Sequence, residues 1–298
     1  MSRPIPPWLK RLLVPIWNAA HHYGWIARDH LDALIHRRFE TCLVCAQFRP
    51  MLYRRRVIPK RLEELWGLSP RLAEALARKE SCDCSGCGAK LRCRRLAQAV
   101  LETYPIGHPP APSASLARWV EAPEVRDLHV AEINRIDGVH DILGRLPHLE
   151  ASDFHPGAAP GEVVDGVRSE DLTRLTYPDA TFDLVLTSES LEHVPDLDAA
   201  LSEIKRVLKP GGRHIFTVPL LPGVERTYPR AIVRSDGTIE DVAPRICHPG
   251  GDWGYPVFTE FGADLPDRLR QAGFEVDVLF GPVGEDDITQ VHVCRKLG

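Results

Sequence analysis

The chain has 298 residues, 44% of them hydrophobic and 26% charged, an ordinary globular composition that excludes a low-complexity or disordered chain. No apolar run is long enough to span a bilayer and no leading segment has the layout of a signal peptide, so a soluble cytoplasmic protein is expected. The net charge of −4 hides two opposed parts: residues 1–100 hold 19 Lys and Arg against 8 Asp and Glu, and the remainder hold 18 against 33. Such a split predicts two parts with different partners, the basic one facing phosphates, an anionic membrane or the acidic part itself.

Residues 8–40 read as a helix interrupted near Pro15, with Lys10, Arg11, Arg37 and Arg38 among its apolar positions. Two readings are open: a helix packed on its own domain, or a helix that meets a membrane surface or a partner. Further helical stretches follow at 60–80 and from Lys90 to about Tyr104. The run "PIGHPPAPSAS", 105–115, is rich in proline and small residues and reads as a linker. The expected organisation is a helical, basic domain over 1–104, a linker over 105–115 and a second domain over 116–298.

After the linker the pattern turns to strand–helix alternation. Apolar runs at 128–133, 149–154, 183–188, 213–219, 275–280 and 289–294 predict strands, with a weaker one at 163–168. Helices are expected at 138–146, 196–208 and 259–272. Alternation of this kind predicts an α/β fold, a mostly parallel sheet covered on both faces. The last two strands have only a short polar connection, which predicts an antiparallel edge.

Six of the eight cysteines lie between 42 and 93. Cys42 with Cys45, and Cys84 with Cys87, form two C-x2-C knuckles, the spacing by which two pairs of thiolates complete one tetrahedral structural Zn²⁺ site. Cys82 and Cys93 are surplus, each able to replace a ligand, and redox-active thiols or an iron–sulfur cluster are the competing readings. The arginine runs at 54–56 and 92–95 fit phosphate binding, or ion pairs to the other domain.

The passage 172–219 is the most informative. Pro178-Asp179, Phe182-Asp183, Leu191-Glu192-His193-Val194 and Arg206-Val207-Leu208-Lys209-Pro210-Gly211-Gly212 stand in an order that resembles the class I S-adenosylmethionine-dependent methyltransferases. The resemblance covers roughly 116–298. It implies a Rossmann-like class I methyltransferase sheet with an additional, mainly helical N-terminal zinc-binding domain. It also implies S-adenosyl-L-methionine as cofactor.

In that family the first strand ends in an acid followed by glycines at alternate positions. Here Glu132 supplies the acid, Asn134 and Ile136 replace two glycines, and Gly138 keeps the third. Asn is the residue other than glycine that best tolerates a positive φ. Ile136 fills a position where glycine lets a ligand approach the backbone. Asp153 closes the second strand, where a carboxylate accepts ribose hydroxyls. Asp171 matches the family's acid near the adenine amino group. With their neighbours Phe154 and Leu172, and Ser188 at the mouth of the crevice, these residues form the expected cofactor site.

Methyl transfer needs an aligned acceptor, and a hydroxyl acceptor also needs a base. Candidates near the crevice are Glu189, His193, His248 and Asp252. His248 lies in "RICHPGGDWGYPVFTEFG", a loop that resembles a His-Gly-Asp-Pro and Phe-Gly segment of some bacterial methyltransferases of this class, placed to cover the acceptor. Structural roles for Glu192 and His193 and an ordinary loop role for His248 are the plain alternatives. "CSGCGAKLRCRRL" resembles the knuckle and arginine-bearing helix of zinc-knuckle methyltransferases, which puts Cys93 on the helix. The expected acceptor is a small metabolite, sugar or natural-product intermediate, or another glycan. RNA bound by the basic domain ranks below it, and a non-catalytic binding protein of the same fold is the third reading.

Overall fold

A computed structural model of the chain describes residues 27–53, 58, 60–107, 114–234, 236–248, 254–284 and 286–298. Most of the helix expected at 8–40, the arginine run 54–56 and Asp252 lie outside the described residues; residues 27–35 are helical. Among the described residues no helix is long and apolar enough to cross a membrane.

The first part is built on a small antiparallel sheet in the order β1-β2-β3, formed by β1 (Phe39–Thr41), β2 (Phe48–Tyr53) and β3 (Cys82–Cys84). Between β2 and β3 the stretch expected as one helix is two, Lys60–Leu65 and α1 (Pro70–Ser81). The break has a local cause. Gly67 takes φ +59, and Ser69 then restarts the chain by accepting a hydrogen bond from Leu72 N, with Pro70 at the first helical position. Helix α2 (Leu91–Thr103) follows β3.

The second part holds an eight-stranded mixed sheet. Its elements are β4 (Val130–Ile133), β5 (Leu149–Asp153), β6 (Val163–Val164), β7 (Val167–Ser169), β8 (Phe182–Ser188), α3 (Leu197–Val207), β9 (Leu208–Thr217), α4 (Leu265–Gln271), β10 (Phe274–Leu279) and β11 (Val291–Lys296). The strand order is β10-β11-β9-β8-β4-β5-β7-β6. Strand β4 pairs in parallel with both β5 and β8, and β8 with β9, whereas β11 runs antiparallel to β9 and β10. This is the expected Rossmann-like sheet with its antiparallel edge. The helix expected at 138–146 shrinks to one turn, His140–Leu143. The one expected at 259–272 starts at Leu265, because Thr259–Glu260 pairs with Tyr228–Pro229.

Helix α3 shows how the pattern becomes structure. Asp196 caps its first turn through Ala199 N. Leu197, Leu201, Ile204 and Val207 recur at helical spacing and are buried against the sheet. Each such burial contributes about 1.5–3 kcal/mol. Arg206 leaves the last turn to bond Glu203, Asp179 and the carbonyls of Leu175 and Tyr177, so the "RVLKPGG" motif is scaffold.

One apolar core joins the two parts. Leu96 and Val100 of α2 share it with Leu184, Leu186, Ile215 and Val291 of the large sheet. Leu116 N and Ala117 N donate back to the carbonyls of Leu43 and Val44 beside the first knuckle. The Tyr104 hydroxyl donates to the Asp183 carbonyl. Strand order reverses at β4, between β5 and β8, and the crevice at the carboxyl ends of these strands is where such sheets bind ligands.

Candidate functional site

The turn after β4 is held from behind. Glu132 is fully buried; its carboxylate accepts from Ile136 N at 2.9 Å and lies 2.6 Å from His140 Nδ1. Burial raises its pKa, against the pull of those two hydrogen bonds. Asn134 takes φ +62, the left-handed conformation its side chain tolerates, and its Oδ1 accepts from Phe154 N, tying the turn to β5. Gly138 takes φ +70, and a Cβ there would stand 2.5 Å from Ala89 N and Cys87 O. Lys90 and Asp137 pair beside it at 2.8 Å. The retained glycine therefore admits the second cysteine knuckle against the turn.

A cavity of about 1110 Å³ opens over the strand ends. Of the expected cofactor residues, Asn134, Asp153, Phe154, Asp171, Leu172 and Ser188 line it. Glu132 and Gly138 stand behind its wall and shape the turn. Asp153 accepts from Arg135 N and Arg135 Nε at 2.9 and 2.8 Å. Burial alone would raise its pKa, but the Arg135 contacts hold it below the usual carboxylate range. Asp171 Oδ1 accepts from both the backbone and the hydroxyl of Thr173.

Both parts of the chain line the cavity, Leu62, Trp66 and Leu76 from the first and His193, His248 and Tyr255 from the second, and the rings of Trp66 and His248 meet with centroids 6.2 Å apart. Lys79, 1% exposed, donates to Glu189 at 3.0 Å. Arg92 donates to Glu80 and to the Ser188 hydroxyl. Among the described residues, part of the charge split between the parts is met by ion pairs across their junction: Lys79–Glu189, Lys90–Asp137, Arg71–Asp286 and Arg95–Asp287. The sequence gives no sign of Lys79 or Glu80 as site residues beyond the charge asymmetry, whereas Arg92 belongs to the run 92–95, for which ion pairs to the other part are one of the two readings.

The imidazoles of His193 and His248 meet edge to face, centroids 4.9 Å apart. His193 Nδ1 donates to the Pro256 carbonyl at 2.8 Å. Burial lowers the pKa of His193, and burial with the nearby His193 lowers that of His248 to about 4, so both are neutral near pH 7. Glu192, between them, is fully buried, and burial followed by the Glu189 charge pushes its pKa well up.

The cysteines of the two knuckles converge: the four Sγ atoms of Cys42, Cys45, Cys84 and Cys87 all lie within 4.8 Å of one another. Cys42–Cys87 and Cys45–Cys84 are each 3.8 Å apart. Tetrahedral Zn–S bonds of about 2.3 Å separate two sulfurs by about 3.8 Å, so the set fits that ion. Cys82 and Cys93 stay outside the group.

Residues 151–216 match the family model described as a methyltransferase domain. This stretch of the chain is similar to a methyltransferase domain. The match runs from β5 through β9 and contains Asp153, Asp171, Ser188, Glu189 and His193. The cysteine knuckles and His248 lie outside it. A probable methyltransferase of Aspergillus luteorubrus is 28% identical over 48% of this chain and 48% of its own length. The ubiquinone/menaquinone biosynthesis C-methyltransferase of a Caulobacter species is 43% identical over 31% of this chain and 36% of its own. The 27-O-demethylrifamycin SV methyltransferase of Amycolatopsis mediterranei is 38% identical over 40% and 37%. The chain thus spans less than half the length of these relatives. Among solved structures, an S-adenosylmethionine dependent methyltransferase from Mesorhizobium loti is 18% identical, with a TM-score of 0.38 over 60% of this chain and 98% of that one.

Proposed function

We propose that the protein transfers a methyl group from S-adenosyl-L-methionine to an oxygen or nitrogen of a small metabolite, sugar or natural-product intermediate. The observation that carries this reading is one large cavity lined both by strand-end carboxylates and by a pair of histidines. At about 1110 Å³ it exceeds the roughly 300–1,000 Å³ that holds one ligand of drug size, leaving room for a cofactor and an acceptor. Its lining offers strand-end carboxylates for a nucleoside: Asp153 for the ribose hydroxyls and Asp171, beside Leu172, for the adenine edge. Phe154 and Asn134 flank them. When bound, the cofactor supplies a methyl group on a sulfonium, activated for in-line displacement.

The same cavity holds the catalytic candidates. A hydroxyl acceptor must give up its proton, and the neutral imidazoles of His193 and His248 are the groups placed to weaken its hold. Glu189, tied to Lys79, fixes the negative charge beside them. The apolar wall of Leu62, Trp66 and Leu76 suits an acceptor with an apolar body. We assign Cys42, Cys45, Cys84 and Cys87 to a structural Zn²⁺ that fixes the segment carrying this wall.

The arginines at 92–95 weigh against RNA as acceptor. Arg92 and Arg94 are buried and bonded to Glu80, Ser188, Glu40 and backbone carbonyls, and Arg95 packs on Phe280. A calorimetric titration tests the enzyme reading. S-adenosylmethionine should bind the full chain, and Asp153→Ala should weaken it at least tenfold; no heat and no thermal shift would sink the proposal. Tight RNA binding falling steeply with salt would restore the RNA reading.

A further inference from the structure

The short turn Leu191–His193 follows β8, and the hairpin pairing Cys247–His248 with Tyr255–Pro256 closes over it. Together they gather Glu192, His193 and His248, with one ligand atom of each within 4.8 Å of the others. Glu192 Oε1 stands 3.6 Å from both His193 Nε2 and His248 Nδ1. An ion bonded to nitrogen and oxygen at about 2.1 Å sets tetrahedral ligand atoms about 3.4 Å apart. These two edges need to close by only a few tenths of an ångström.

Two further observations point to a cation. The Pro256 carbonyl can only accept, so the proton of His193 sits on Nδ1 and the Nε2 lone pair faces Glu192. A backbone carbonyl holding the remote nitrogen is the usual outer support of a metal-bound histidine. Second, Glu192 is fully buried, yet neither of its oxygens has a hydrogen-bond partner among the described residues. An isolated carboxylate in that position costs several kcal/mol, and nature offsets such a cost with a proton or a cation. Lys79 and Arg92, the buried cations of this region, are bonded to Glu189, Glu80 and Ser188 instead.

We propose that Glu192, His193 and His248 bind a divalent transition-metal ion, distinct from the ion of the four cysteines, with its remaining coordination position open to the cavity. Two imidazoles and one carboxylate suit Zn²⁺, Fe²⁺ or Co²⁺ and not Mg²⁺, which takes oxygen ligands. Both histidines line the cavity, whereas Glu192 lies behind them. With the ion bound, neither imidazole keeps a free lone pair to act as a base, so the ion would take over that part, its open position holding an acceptor oxygen and easing the loss of its proton. That last step rests on the methyl-transfer reading; the binding of the ion does not.

The test counts metal on the full chain. The protein is stripped with a chelator, dialysed against Zn²⁺ alone and then against Co²⁺ alone, and its bound metal is measured by mass spectrometry. Two equivalents are expected for the native chain. His248→Ala and Glu192→Gln should each lose one, with at least a 100-fold drop in the affinity of that site, more than outer-sphere losses of 10–100-fold produce. The cysteine-bound ion and its thiolate-to-cobalt absorption should remain in both variants, which also reports that they are folded. X-ray diffraction at the zinc edge gives the second reading, a peak between the three side chains. One equivalent in the native chain with no peak there, or two equivalents unchanged in both variants, overturns the proposal. In the first case Glu192 is simply a protonated acid. S-adenosylmethionine titration of the same samples keeps this outcome separate from the fate of the methyl-transfer reading.

Discussion

Replacing Gly138 by alanine tests whether the first turn of the sheet is built to receive the cysteine knuckle. Two costs add. At φ +70 an alanine sits in the left-handed region, a penalty of about 1–2 kcal/mol. Its Cβ would also stand 2.5 Å from Ala89 N and Cys87 O and 2.8 Å from Ala89 Cα. These are backbone atoms that no side-chain rotation relieves, and overpacking of this kind costs about 1–3 kcal/mol. The expected loss is therefore about 2–5 kcal/mol, a large share of a typical domain's stability. Gly166 supplies the control. It turns the β6–β7 hairpin at φ +82 with nothing within 4 Å of a Cβ, so Gly166→Ala should cost the backbone term alone. Urea unfolding of both variants, loaded with Zn²⁺, measures the difference. Equal losses in the two variants would refute the contact argument. A loss in Gly138→Ala without weaker retention of the cysteine-bound metal would show that the knuckle does not lean on this turn.

Three further outcomes follow from the same geometry. Arg135→Ala should tighten S-adenosylmethionine binding by up to about fivefold, since a half-exposed ion pair worth about 0.2–1 kcal/mol no longer occupies Asp153; weaker binding measured by calorimetry would mean that Arg135 itself grips the ligand. Burial pushes His214 down to about 3, with His292 adding to it, and His292 down to about 4. An unfolded histidine titrates near 6.5, so the unfolded chain binds more protons below that pH. Their contribution is intact above pH 6.5 and is lost as pH falls toward 4, on the order of 3 kcal/mol for each; urea midpoints across this range should fall, and His292→Phe should flatten the fall. Chelation, or Cys84→Ser, should lower the unfolding temperature by more than about 10 °C if the four thiols hold a structural ion, and an unchanged melting curve would remove it.

The sheet was legible because its strands are short apolar runs set off by polar residues, as in Asp183–Thr187, and because α3 repeats leucine and isoleucine at helical spacing. The boundaries that moved did so for local reasons. Gly67 and Ser69-Pro70 cut one helix into two, and a pairing with Tyr228–Pro229 held residues 259–260 extended. Asn134 was readable as a left-handed residue from its chemistry alone. The purpose of Gly138 was not, since its neighbours Cys87 and Ala89 lie some fifty residues earlier. The same holds for Lys79 and Arg92, whose partners Glu189 and Ser188 are 110 and 96 residues away. A single sequence shows that the two parts carry opposite charge; only the fold shows which charges meet.

The cavity is lined by stretches of chain that lie far apart in the sequence. Asp153, Asp171 and Ser188 lie in the matched stretch, whereas Leu62, Trp66 and Leu76 come from a segment that precedes the first strand of the large sheet. That segment is docked by ion pairs and anchored by the knuckles. On the proposed reading, changes in it should reshape what is admitted without disturbing the carboxylates assigned to the nucleoside. On that reading, exchanging this segment between related proteins should change the acceptor that is taken, and a change at Asp153 should weaken the binding of the cofactor instead.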